Sequence, residues 1–145
     1  MILVIDVSIA VKAFVDEPQS HIANRIIDEA EQLIVPAHFL GEVGEVLVRR
    51  WRANEVILQQ VDVIQVVWRW SFEIVALEQL FGEAFEIATE TGASFYDALY
   101  VAVADFRDVP LVTADERLLK RIAGTPWAGR AMSLAEWEAR SRPLQ

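Results

Sequence analysis

"ILVID", residues 2–6, is a short continuous apolar run closed by an acid. A run of that length without polar alternation fits a central strand covered on both faces. "LIVP" at 33–36, "FEIVAL" at 72–77 and "PLVT" at 110–113 read as further strands, and "RAMS" at 130–133 as a short edge strand. Helical signals fill the intervals. Ser8 is placed to cap a helix reaching about Val15, ended by "DEP" at 16–18. Ile22, Ala23, Ile26, Ile27 and Ala30 mark an amphipathic helix over 19–31, and Leu40, Val43, Val46 and Leu47 mark one from about His38 to Trp51. Asn54 is placed to cap the next, in which Ile57, Val61, Ile64 and Trp68 recur at helical spacing in a segment rich in β-branched residues. A helix over 78–91 is closed by Gly92, another spans 94–107, and "DERLLKRIA" follows the fourth strand. "GTPWAG" at 124–129 is turn-like, and Ser133-x-x-Glu136 is a capping box for a last helix. Strands alternating with helices predict an α/β fold on a parallel sheet. Without an internal repeat, low-complexity segment or linker, residues 1–145 read as a single domain.

"SFYDALYVAVADF", residues 94–106, is apolar or small at almost every position, the pattern of a buried helix. Asp97 sits in its first turn between bulky aromatic residues, where a buried carboxylate is costly unless paired or ligated. Ser94-x-x-Asp97 resembles a capping box, although Glu or Gln is the usual last member. A first-turn acid also complements the helix dipole by roughly 0.3–1 kcal/mol. Other acids bear on the same position. Ligands of open parallel sheets bind beyond the carboxyl ends of the strands. Asp6 ends the first strand, Asp115 lies just beyond the fourth, and Glu42 stands on the helix leaving the second. Each has a local explanation: Asp6 as a cap, Thr113-x-x-Glu116 as a capping box with Asp115 in its first turn, Glu42 as a surface residue. Independent caps, however, need not share one edge. At about 5 Å and an effective dielectric near 20, a carboxylate pair repels by roughly 3 kcal/mol. A cluster of them persists when protons or a divalent cation neutralise it. Oxygen-only ligands suit magnesium or manganese, ions that activate water and stabilise charge on a phosphodiester.

Composition narrows the classes. The hydrophobic fraction is 54%, which excludes a disordered chain, and the absence of cysteine excludes disulfides and thiolate zinc sites. No stretch approaches 18 uncharged apolar residues, so no membrane span is expected. The N-terminus carries Asp6 early and lacks a basic region, a poor signal peptide, so a cytoplasmic protein is the expectation. A net charge of −9 argues against a generally basic nucleic-acid surface. Either nucleic acid is not bound, or cations and local patches such as Arg49, Arg50 and Arg52, or Arg117, Lys120 and Arg121, supply the positive charge. His21 and His38 lack zinc-site partners and read as structural residues. Trp51, Trp68 and Trp70 are expected in the core, and the wide apolar faces of helices 38–51 and 54–70 also suit a dimer interface. Tyr96 and Tyr100, one turn apart, are expected to pack. No Ser-His-Asp arrangement, P-loop or G-x-G-x-x-G occurs.

Asp6-x-Ser8 after the first strand, Glu42-Val43 after "VPAHFLG", "SFYDALYVAVA" at 94–104 and "PLVTADERL" at 110–118 resemble the PIN-domain ribonucleases, and among them the VapC-type toxins. The order and spacing of these motifs cover nearly the whole chain. The resemblance implies a three-layer α/β/α sandwich with a mostly parallel central sheet. It implies magnesium- or manganese-dependent RNA cleavage at Asp6, Glu42, Asp97 and Asp115, supported by Ser8 and Thr113. Many relatives carry Asn three residues after the glutamate; Glu45 stands there in this chain, either as a further ligand or facing solvent. The expected protein is therefore a metal-dependent endoribonuclease, a toxin neutralised by a cognate antitoxin and homodimeric. In-line displacement is expected to leave 5′-phosphate and 3′-hydroxyl ends. A phosphoacceptor signalling domain would need an acidic pair after the first strand and a late lysine, where this chain has Val7-Ser8 and Thr113-Ala114. A non-catalytic interaction module on the same fold remains a rival.

Overall fold

The computed structural model describes residues 1–56 and 59–143. Its centre is β1 (Ile2–Ile5), in which Leu3, Val4 and Ile5 are completely buried. β2 (Gln32–Pro36) and β3 (Phe72–Val75) lie to one side of it, β4 (Leu111–Thr113) and β5 (Ala131–Ser133) to the other. The order β3-β2-β1-β4-β5 is parallel at every pairing. Val4 pairs with Leu111 and Ile5 with Val112, so the residues that come next, Asp6 and Thr113, reach the carboxyl edge at the same level.

Parallel neighbours need crossovers, and these are right-handed. Helices following β1 and β2 therefore cover one face: α1 (Val7–Lys12), α2 (Ser20–Glu29), α3 (Phe39–Arg52) and α4 (Gln60–Arg69). The long return from β3 to β4 places α5 (Leu77–Thr91) and α6 (Phe95–Arg107) on the other. α7 (Glu116–Ile122) and α8 (Leu134–Ser141) flank β5. From Ala98 to Ala104 every residue of α6 is buried. Its alanines let it lie close across β1 and β2 while α5 packs along its outer side. The result is the expected three-layer α/β/α architecture.

Several local expectations change. Of the two candidate caps for α1, Asp6 and not Ser8 fills the position: its backbone is extended and its carboxylate accepts the Ile9 N–H. Asp115, not Thr113, caps α7, because Thr113 is still paired in β4. Asn54 caps no following helix. It sits left-handed at φ 56° just past α3, and α4 starts only at Gln60. Ile57, counted on that helix, lies outside the described residues. Trp51 and Trp68 are 58% and 81% exposed rather than core. Trp70 does pack, against Phe14, Phe39 and Phe72. The first turn of α6 is also more open than its apolar sequence suggests: Tyr96 is 59% exposed and burial begins at Ala98.

The expected caps at Ser94, Ser133 and Gly92 are present. Gly92 adopts φ 76°, and an added Cβ would lie 2.8 Å from Arg121 Nη1. Gly92→Ala is expected to cost about 1–2 kcal/mol, chiefly from the left-handed backbone, since the arginine tip can move aside. A thermal melt should show a fall of several degrees.

Candidate active site

In the strand order the chain reverses direction beside β1, where β2 lies on one side and β4 on the other. Such a switch point opens a crevice beyond the carboxyl ends of the strands. Asp6 leaves β1 at that point and its carboxylate is buried. Both oxygens are held: the Ser8 hydroxyl donates to Oδ1 and the Thr113 hydroxyl to Oδ2. The two hydroxyls are in turn oriented by backbone, Ser8 Oγ accepting from Ala114 N at 2.8 Å and Thr113 Oγ1 from Asp115 N at 3.0 Å. One hydrogen-bonded network thus ties the ends of β1 and β4 around a single carboxylate. Burial pushes the Asp6 carboxyl up to about 6; the hydroxyl bonds offset part of that and the nearby Asp97 adds to it.

Asp97 arrives from α6. Its backbone N–H donates to Ser94 Oγ at 3.0 Å. The carboxyl is held above its ordinary value, mainly by burial and further by Asp115. Glu42, in the first turn of α3, is raised mainly by burial, with Asp97 and Asp6 adding to the effect. Its Oε1 accepts from the Tyr100 hydroxyl at 3.1 Å. Burial and the surrounding acids keep that phenol protonated, far above its usual range, so it remains a donor. Asp115 accepts Arg117 N at 3.0 Å and Leu118 N at 3.1 Å through one oxygen, Oδ1.

Asp6, Glu42, Asp97 and Asp115 line one cleft of about 570 Å³, with Ser8 and Ser94 between them. Lys12, Arg49 and Arg50 line the same cleft, together with Glu17. Glu17 accepts from Arg50 Nη1 at 2.8 Å and from Lys12 Nζ at 3.2 Å, and these partners hold its carboxyl below the usual range despite the opposing effect of burial. Among the described residues no three His, Cys, Asp or Glu side chains are preassembled as a chelate. The donor chemistry nevertheless fits a hard cation. Magnesium keeps several waters and takes one or two carboxylates directly, so an open array of acids suffices. Burial is the main cause that raises three of these carboxyls, their mutual repulsion adds to it, and a bound ion would neutralise that charge.

Of the residues expected at the site, Ser8 lines the cleft, while Thr113 is fully buried beneath it. Glu45 does not reach the cleft; it is exposed and lines an adjoining hollow with His38 and Tyr96. Arg49 and Arg50 of the first basic patch face the cleft, whereas Arg52 is exposed outside it. His38 packs between Tyr96 and Tyr100, with both ring nitrogens buried and unbonded. Burial lowers its pKa, so its 3.6 Å approach to Glu42 is a contact of a neutral ring rather than an ion pair. Tyr100, Lys12 and Glu17 were not anticipated. Tyr100 follows Asp97 by three residues and Lys12 follows Ser8 by four, spacings that share a helix face. Glu17 lies between helices, where no periodicity marks it.

Fold and cleft define an α/β domain with an acidic cleft at the carboxyl edge of a parallel sheet. The chain belongs to the PIN domain family, whose profile matches residues 3–125. It is 27% identical over 127 residues to ribonuclease VapC3 of Pyrobaculum aerophilum, covering 83% of this chain and 95% of that one. Among solved structures it is similar to PAE2754 of Pyrobaculum aerophilum, with TM-score 0.65 and 22% identity over 95% of this chain and 87% of the other. A toxin–antitoxin complex from Klebsiella pneumoniae matches at TM-score 0.61 and 18% identity, covering 91% and 97%. Mycobacterium tuberculosis VapC20, a toxin that cleaves the sarcin–ricin loop, matches at 0.65 and 20%, covering 85% and 95%.

Proposed function

We propose that this protein is a magnesium- or manganese-dependent endoribonuclease, the toxin of a toxin–antitoxin pair. The observation that carries the proposal is the convergence of Asp6, Glu42, Asp97 and Asp115 on one cleft, above a hydroxyl network that fixes Asp6. The names borne by the similar proteins, a ribonuclease, a sarcin–ricin loop cleaving toxin and a toxin–antitoxin complex, support it.

When bound, the cation would polarise the scissile phosphate and activate the attacking water. The chain's own groups hold and orient the rest. Asp6, Asp97, Glu42 and Asp115 supply the negative charge that retains the ion. Tyr100 fixes the Glu42 carboxylate through Oε1. A carboxylate among them accepts the proton released as water attacks. Lys12, Arg49 and Arg50 offer positive charge to flanking phosphates on a chain that is otherwise acidic.

Cleavage of labelled single-stranded RNA by the purified protein should stop in excess EDTA and return with magnesium or manganese. The products should carry 5′-phosphate and 3′-hydroxyl ends. Activity that persists in excess chelator would overturn the metal-dependent mechanism. For the partner, an acidic cleft attracts a basic segment, and an arginine fork pairs bidentately with carboxylate. Co-expression with the neighbouring small gene product should rescue growth and yield a stable complex; failure of every adjacent small protein to bind would count against the toxin role. The exposed Trp51 and Trp68 favour homodimerisation, checked by light scattering on the purified chain. Among the described residues no helix is long and apolar enough to cross a membrane, in keeping with a proposed site of action in the cytoplasm.

A further inference from the structure

Beside the acidic cleft lies a second hollow of about 510 Å³, lined by Ala37, His38, Gly41, Glu42, Glu45 and Tyr96. Its volume falls in the range of small-ligand sites. Tyr96 lines both spaces and so forms the ridge between them. It is the residue immediately before Asp97. One side of its ring rests on His38, with centroids 5.2 Å apart and planes 28° from parallel. Tyr96 is nevertheless 59% exposed, so an aromatic residue held in place from behind is presented to solvent. Gly41 leaves the hollow open: a Cβ built there meets nothing within 4 Å. His38 can read nothing in the hollow, because both of its nitrogens are buried. Glu42 is engaged by Tyr100 and the cleft. Glu45, exposed, is the remaining polar side chain of the lining.

Resting on the ribonuclease function proposed above, we infer that this hollow is a nucleobase subsite selective for guanine in single-stranded RNA. Tyr96 stacks the base next to the scissile phosphate, and Glu45 reads the base's Watson–Crick edge. Single-stranded RNA is recognised by splaying bases onto aromatic side chains and hydrogen-bonding their free edges. An ionised carboxylate accepts hydrogen bonds and cannot donate. Guanine is the base whose Watson–Crick edge sets two N–H donors side by side, at N1 and at the exocyclic amine. Adenine and cytosine place an acceptor beside their amine, and uracil offers a single imino N–H between two carbonyls. A carboxylate therefore pairs best with guanine and meets a repelling lone pair on the others. The net charge of −9 does not oppose such binding, because the base edge is neutral and the phosphates lie on the cleft side of the ridge.

The test separates binding from cleavage. Asp97→Asn protein in magnesium is titrated with fluorescent hexaribonucleotides of adenine and uracil, with and without one guanosine. The guanosine-containing strand should bind roughly tenfold more tightly, the discrimination expected of one bidentate base contact. Glu45→Gln should remove that preference, since an amide suits adenine as well. Tyr96→Ala should weaken binding about tenfold and Tyr96→Phe should restore it, because stacking needs only the ring. Gly41→Phe, at a position where an added Cβ meets nothing within 4 Å, should fill the hollow and abolish the preference, with an unchanged circular dichroism spectrum. In the protein with Asp97 intact, sequencing of cut ends from a random RNA pool should show guanine enriched at one position, and Glu45→Gln should lose that enrichment. Equal binding of both strands, or a preference untouched by Glu45→Gln and Gly41→Phe, would overturn the subsite even if RNA is cut. Guanine-selective binding without any cleavage would support the subsite and sink the nuclease function instead.

Discussion

In purified Asp97→Asn protein, RNA cleavage is expected to fall roughly a thousandfold or more while the fold is kept. The replacement is close in size and shape. The helix cap survives, because Ser94 Oγ accepts from the backbone N–H of residue 97. The half-buried surroundings become easier to satisfy, since burial and Asp115 already disfavour the charged form there. What disappears is one negative ligand facing a cation. Charge stabilisation of that kind contributes several kcal/mol to a phosphodiester transition state. Each 1.36 kcal/mol is a factor of ten in rate. The measurement is kcat on a labelled RNA, beside far-ultraviolet circular dichroism and a thermal melt. A folded Asp97→Asn protein with full activity would remove Asp97 from the site and leave it as a first-turn acid.

That expectation came from the chain's local grammar, and so did most of the fold. The continuous apolar runs at 2–5 and 33–36 require cover on both faces, and they are the buried strands β1 and β2. The small residues of 98–104 mark the helix that crosses them. Where expectation failed, the deciding force was not local. Ser8 is a good cap by type, but the edge register puts Asp6 opposite Thr113, and the extended backbone there makes Asp6 the cap. Thr113-x-x-Glu116 has capping-box spacing, yet pairing with Ser133 keeps Thr113 in the strand and passes the cap to Asp115. Trp68 is apolar enough for a core, but among the described residues no element covers that side of α4 and it stays exposed. The four acids were legible because each follows an element at the same sheet edge. Glu17 depends on how α1 and α3 lie against each other, and the hollow around Glu45 on how α3 meets the first turn of α6, which no periodicity encodes.

Asp6→Asn should make the metal-free protein more stable at neutral pH. Burial raises the folded-state value of this carboxyl from 3.8 to about 6. A group raised on folding contributes fully below its unfolded value and loses that contribution as pH rises through the folded one. At pH 7 the ionised Asp6 therefore costs on the order of 3 kcal/mol, as about two pH units imply. Asparagine removes the charge and still accepts at the cap. It can no longer accept from both Ser8 and Thr113, which returns about 1 kcal/mol. The net gain, roughly 1–2 kcal/mol, is a rise of several degrees in EDTA at pH 7. The advantage should shrink below about pH 6 and vanish near pH 4, where the wild-type carboxyl is itself neutral. Carboxylates that are lowered on folding, such as Glu17, destabilise both proteins alike as pH falls, so they cancel in the comparison. Magnesium adds the second axis. Stabilisation by a ligand follows its affinity for the folded state, so wild type should gain more from magnesium than Asp6→Asn. Asp115→Asn should likewise lose part of the magnesium gain while keeping its cap, since asparagine also accepts from Arg117 and Leu118. Melts of the three proteins across pH 4–8, in EDTA and in magnesium, decide the matter. If both variants melt lower than wild type in EDTA and keep the full magnesium shift, the acids act through their negative charge at the helix N-termini and share no ion.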